Sequence, residues 1–253
     1  MIPKIIHYCW FGNGDIPARD LKCIESWRIY CPDYKIIIWN EKNYDITKNK
    51  YMYEAYKAGK FGFVPDYARL DIVYKYGGIY LDTDVELLKP LDALLDNEAF
   101  CGFENKDFVA FGLGFGAQPK NAILKELRDL YDTLEFKNVD GTLNLTPSPY
   151  YQTQCLLKFG LKRDGKTQEI NGFKVFSIDY FNPKNYSTGE IKITENTYSI
   201  HHFHMSWKRP IERILIEFKY KINNESRFLK RIAFKMLYTF LRILNKLDKI
   251  VRK

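Results

Sequence analysis

Apolar residues dominate positions 2–9 and are closed by Phe11, Gly12, Asn13, Gly14 and Asp15, the pattern of a strand buried on both faces. Helical spacing then runs through 17–30 on Leu21, Ile24 and Trp27, and a turn at 31–34 leads into an Ile-rich strand at 35–39. A helix is expected over 50–58. Pro65 and Asp66 start a further helix that Gly77 and Gly78 stop, with Tyr67, Leu70 and Tyr74 at i, i+3 and i+7. A third strand, 79–81, follows at once. Beyond Pro90 the pattern predicts strands at 99–103, 108–115, 173–178 and 197–203, and helices at 121–134 and 150–159. Pro210 opens a helical tail. Strands alternating with helices imply an α/β fold, a mostly parallel sheet flanked by helices, with ligands at the carboxyl ends of the strands.

With 253 residues, 46% hydrophobic and 28% charged, the chain fits one large globular domain with an appendage. The only composition shift falls near Trp207, which divides a body of 1–207 from a tail of 208–253. The net charge of +8 is unevenly shared, since 208–253 holds 14 Lys and Arg against 4 Asp and Glu. The body is therefore close to neutral, which argues against a nucleic-acid groove across it and for a tail that meets an anionic surface. From Arg227 onward, Phe228, Ile232, Leu237, Leu241, Leu244, Leu247 and Val251 recur among basic residues, as in an amphipathic helix lying on anionic lipid. A helix packed on the body with a solvated basic face fits the same pattern. Five scattered Cys without a CxxC pair read as reduced thiols. The opening residues lack a signal-peptide pattern, and no uncharged stretch is long enough to span a bilayer. These features predict a cytoplasmic protein, peripheral at the inner face of the membrane.

The third strand delivers two acids, Asp82 and Asp84, just beyond its end. Carboxylates in a D-x-D at a strand end are hard oxygen ligands suited to Mg²⁺ or Mn²⁺, which in turn binds a diphosphate and stabilises its departure. Asp66 and Arg69 share a face of the preceding helix, and such a pair suits sugar hydroxyls as well as an ordinary surface ion pair. Gly112, Gly114 and Gly116 are not followed by the helix a dinucleotide fingerprint needs, and read as close-packed strand beside a cleft. Trp27 and Trp39 fall at apolar-periodic positions and read as core.

The segment FVPDYARLDIVYKYGGIYLDTD, together with IPKIIHYCWFG and SWRIYCPDYKIIIWNE, resembles family-32 glycosyltransferases. That family includes capsular-polysaccharide sugar transferases and fungal initiating mannosyltransferases, and is related to the large clostridial glucosylating toxins. The resemblance implies a GT-A fold, a nucleotide-sugar donor (UDP- or GDP-linked), a Mn²⁺ or Mg²⁺ cofactor and transfer with retention of configuration. It implies Asp84 as direct metal ligand, Asp82 near metal and ribose, and Asp66 and Arg69 on the donor sugar. Trp10 would border the base beside the backbone of Ile6 and His7. At the other end, HHFHMSW matches the place where relatives bring a second metal ligand. His202 and His204, two apart on a strand, are both candidates, and Ser206 and Trp207 would donate to phosphate oxygens. The acceptor expected is a glycan, in particular an undecaprenyl-diphosphate-linked one, in capsular or surface polysaccharide synthesis. Two other classes compete. A metal-dependent phosphohydrolase would leave Asp66, Arg69 and HHFHMSW unexplained, and a non-enzymatic membrane- or nucleic-acid-binding protein would spread its basic residues over the whole fold.

Overall fold

Side chains along the central strands alternate between two apolar cores, and this alternation places the helices on both faces of one sheet. The computed structural model describes residues 1–185, 188–204, 236 and 239. Its elements are β1 (Ile5–Cys9), α1 (Ala18–Tyr30), β2 (Lys35–Trp39), α2 (Lys50–Lys57), α3 (Pro65–Tyr76), β3 (Gly78–Tyr80), β4 (Val85–Leu87) and β5 (Ala99–Gly102). There follow β6 (Phe115–Ala117), α4 (Ala122–Leu130), α5 (Ser148–Lys158), β7 (Gln168–Ile170), β8 (Phe173–Phe176), α6 (Ile178–Phe181) and β9 (Ser199–His201). Among the described residues, 1–184 and 191–204 belong to one compact unit. The tail from 208 onward, and with it Ser206 and Trp207, lies outside the described residues apart from positions 236 and 239.

Seven strands form one sheet in the order β2-β1-β3-β6-β5-β8-β7, and β4 pairs with β9 in a separate antiparallel ribbon. β1 is parallel to β2 and β3, β6 is antiparallel to β3 and β5, β8 is parallel to β5, and β7 is antiparallel to β8. Five of the seven strands therefore run one way, the mostly parallel sheet expected from the sequence. Ile79, Leu81 and Phe100 face a core shared with Ile24 and Trp27 of α1. Tyr80, Ala99 and Cys101 face the opposite core, which α2, α3, α4 and α5 cover.

Several local expectations shift. In α1 the buried face is Asp20, Cys23, Ile24, Ser26 and Trp27, while Leu21 is 47% exposed. α3 packs on more than one side, burying Ala68, Ile72 and Val73 as well as Tyr67 and Leu70. It is a central helix rather than an amphipathic surface one, so Asp66 and Arg69 are buried with it. The strand expected over 108–115 is replaced by a 3₁₀ turn at Phe111–Leu113 followed by β6. The cause is that the Phe111 N–H donates to Gln152 and the Gly112 carbonyl accepts from Asp82, which removes both from any ladder. β4 and β7, of three residues each, were not expected from the sequence.

Candidate active site

β3 reaches its place because Gly78 permits it: a Cβ there would lie 2.8 Å from the Ile5 carbonyl oxygen and 3.0 Å from His7 Nε2. Close packing of β3 on β1 carries Asp82 to the carboxyl end of the parallel strands. Its backbone N–H donates to the Gly112 carbonyl at 3.2 Å. Its Oδ1 accepts from the Tyr80 hydroxyl at 3.0 Å and lies 3.6 Å from Arg69 Nη1. The backbone of Gly112 packs so closely that a Cβ there would sit 2.2 Å from Asp82 Oδ2.

Two residues on, Asp84 is met by the segment around β9. The pairing of Val85 with His201 in the β4–β9 ribbon brings His201 Nε2 to 3.1 Å from Asp84 Oδ1. The His204 backbone N–H donates to Asp84 Oδ2 at 2.7 Å. Burial alone would raise the Asp84 carboxyl, but the His201 charge and hydrogen bond and the His204 N–H outweigh it and hold the group below the usual carboxylate range. His201, by contrast, is raised above its ordinary value, because Asp84 outweighs the lowering effect of burial. Asp82, Asp84 and His201 offer ligand atoms that all lie within 4.8 Å of one another. Two carboxylates with one imidazole fit a divalent cation such as Mn²⁺ or Mg²⁺. His201 Nδ1 is buried and without a hydrogen-bond partner among the described residues.

Behind this cluster Asp66 and Arg69 form a buried ion pair through Arg69 Nη2, and Arg69 Nε donates to the Pro65 carbonyl at 3.0 Å. The guanidinium lies 5.2 Å from the centroid of the Tyr80 ring, so one cation joins Asp66, Asp82 and Tyr80. Burial pushes the Asp66 carboxyl up to about 6, against the lowering effect of Arg69 and a Ser148 hydrogen bond. In Arg69, burial is outweighed by the acids around it, so the guanidinium stays charged.

The structure thus brings Asp66, Arg69, Asp82 and Asp84 together, and adds His201. His202 and His204 are turned elsewhere: His202 Nε2 lies 2.7 Å from Glu86 Oε2 and His204 Nδ1 lies 2.6 Å from Asp20 Oδ1. The two rings do share a face, stacked with centroids 5.3 Å apart, but it is His201, packed on Phe203, that meets Asp84. Trp10 directly follows β1, and its indole N–H donates to the Gly14 carbonyl at 2.6 Å. Ile6 and His7 lie inside β1 between β2 and β3, where their backbone groups belong to the ladders. The His7 ring is fixed as well. Nε2–H donates to the Gly77 carbonyl at 2.9 Å and Nδ1 accepts from Trp39 at 3.1 Å, while burial lowers the imidazole to about 4. The residues sequence reasoning passed over are His201 and Asp20, and Gly112 was read only as packed strand. The His pair at 201–202 was visible, but which of the two faces the acids depends on the register of β9 against β4.

The acid pair at a central strand end also falls inside the segment that sequence comparison picks out. Residues 17–101 match the family model described as glycosyltransferase sugar-binding region containing DXD motif. Over this segment the chain is similar to the glycosyltransferases that carry a DXD motif. It is 31% identical over 134 residues to inositol phosphoceramide mannosyltransferase 1 of Schizosaccharomyces pombe, covering 49% of this chain and 40% of that protein. It is 28% identical over 127 residues to the initiation-specific alpha-1,6-mannosyltransferase of Candida albicans, covering 46% of this chain and 33% of that one. The chain therefore spans less than half the length of these curated relatives. Among solved structures, a glycosyltransferase involved in glycosylation of the major capsid of PBCV-1 aligns over 85% of this chain and all of its own, at 14% identity and a TM-score of 0.47.

Proposed function

We propose that the chain is a metal-dependent, retaining glycosyltransferase that moves a sugar from a UDP- or GDP-linked donor to a glycan-type acceptor. The observation that carries this is the joining of two groups through one residue: Arg69 pairs with buried Asp66 and also reaches Asp82, which belongs to the acid–histidine cluster. Asp82, Asp84 and His201 would hold the divalent cation. When bound, the cation offsets diphosphate charge and stabilises the departing nucleoside diphosphate. Asp66 and Arg69 would grip the donor sugar through its hydroxyls, in a site dry enough for such bonds to discriminate strongly. Mannose is the first sugar to test, because the relatives above are named mannosyltransferases. A lipid-borne acceptor fits the name of the first of them, and the basic tail would hold the enzyme at an anionic membrane surface. The body of 1–207 would carry catalysis and 208–253 the attachment.

The test is a thermal-shift screen of UDP- and GDP-sugars with Mn²⁺, followed by transfer to an added glycan. At a hundredfold excess over Kd a donor stabilises by about 2.7 kcal/mol, roughly 5–10 °C in a domain of this size. No shift with any donor, or a shift that survives EDTA, refutes the metal-dependent reading. Hydrolysis without transfer to any acceptor would favour a phosphohydrolase.

A further inference from the structure

Asp20 sits on α1 with 0% of its surface exposed. A carboxylate buried on a helix face among Cys23, Ile24 and Trp27 is costly unless its oxygens are filled. They are filled from two distant segments. Oδ1 faces His204 Nδ1 at 2.6 Å and Oδ2 accepts from the Thr83 hydroxyl at 3.4 Å. Thr83 is the middle residue of the D-x-D, and His204 is the residue whose backbone N–H occupies Asp84 Oδ2. Arg19 adds to the junction, with Nη2 donating to the His204 carbonyl at 3.1 Å and Nε 3.5 Å from Asp20 Oδ1.

The same helix grips the chain just beyond the acids. Trp27 Nε1–H donates to the Val85 carbonyl at 2.7 Å, and the Leu87 N–H donates to Ser26 Oγ at 2.9 Å. α1 therefore holds the D-x-D segment at three points, and Asp20 alone among them also holds the segment that follows β9.

We propose that Asp20 is a positioning residue of the metal centre. By joining Thr83 to His204 it engages Asp84 Oδ2 with the His204 N–H and leaves Asp84 Oδ1 beside Asp82 and His201 for a divalent cation. This rests on the metal-dependent reading above. Outer partners that orient a ligand typically change metal affinity about 10- to 100-fold when removed.

The experiment measures Mn²⁺ binding to the full chain by electron paramagnetic resonance, with a melting curve for each variant. The variants are Asp20→Asn, His204→Ala, the double mutant, and Asp84→Asn as control. Asp20→Asn and His204→Ala should each weaken Mn²⁺ by about 10- to 100-fold, and the double mutant should be no weaker than the worse single one. His204→Ala keeps the Asp20 charge, so equal losses exclude a simple effect of a nearby negative charge. Its side chain is partly exposed, so it carries the test even where Asp20→Asn folds poorly. Wild-type Mn²⁺ affinity in His204→Ala, with binding lost in Asp84→Asn, overturns the role of Asp20 while the metal reading stands. Losses that multiply in the double mutant also overturn it, because Asp20 would then act otherwise than through His204. Equal Mn²⁺ binding by wild type and Asp84→Asn removes the metal reading itself, and this inference with it.

Discussion

Gly112→Ala separates the geometry of the acid pair from the stability of the fold. The added Cβ would stand 2.2 Å from Asp82 Oδ2, 3.1 Å from its Cγ and 3.3 Å from Arg69 Nη1, against 3.4 Å or more for ordinary contact. The φ of Gly112 lies outside the positive range that disfavours other residues, so the collision alone sets the effect. The colliding atom is the end of a side chain, and relief requires Asp82 Oδ2 to move by about 1 Å. A carboxylate forced off its rotamer costs about 0.5–1.5 kcal/mol, or roughly 1–6 °C in melting temperature for a domain of this size. A 1 Å misplacement of a site group costs about 100-fold in rate. Gly112→Ala should therefore cut donor turnover by about two orders of magnitude while the protein melts within a few degrees of wild type. Turnover with saturating nucleotide sugar and Mn²⁺, alongside a melting curve, reads both quantities. Turnover within about twofold of wild type would refute the placement of Asp82 in the site. A collapse in melting temperature matching the loss of turnover would show Gly112 to serve the fold alone.

Asp84→Ala should abolish metal-dependent nucleotide binding and also lower stability by about 1–3 kcal/mol, because His201 and the His204 N–H lose their acceptor; turnover that persists in EDTA would refute the metal assignment. Asp66 is raised from 3.8 to about 6, so the native state binds this proton more tightly than the unfolded chain. Relative to Asp66→Asn, wild type should accordingly gain stability as pH falls from about 6 to 4, with a slope of the opposite sign, in urea titrations, refuting the burial argument. Truncation after Asn223 should leave transfer to a soluble acceptor analogue intact and reduce co-sedimentation with anionic vesicles, by an amount that shrinks as salt rises. Undiminished vesicle binding with a lower melting temperature would show the tail to be packing instead.

What the sequence determined by itself was local: the strand at the N-terminus, the caps of α3, the third strand and its acid pair, and the Asp66–Arg69 spacing. Each is fixed by a pattern within a dozen residues, where periodicity and end signals act directly on the backbone. Tertiary structure decided everything that depends on which segments meet. Asp66 and Arg69 read equally as a surface pair until α3 is seen packed between other helices and the sheet. His201 rather than His202 or His204 meets the acids because the β4–β9 pairing sets His201 opposite Val85, a register imposed from more than a hundred residues away. Asp20 looks like an ordinary first-turn acid of a helix, yet its partners come from 63 and 184 residues along the chain. Gly112 passes for a strand glycine until Asp82 is laid against it. Local propensity names the groups that can do chemistry, but burial and hydrogen bonding between distant segments select which of them stand together.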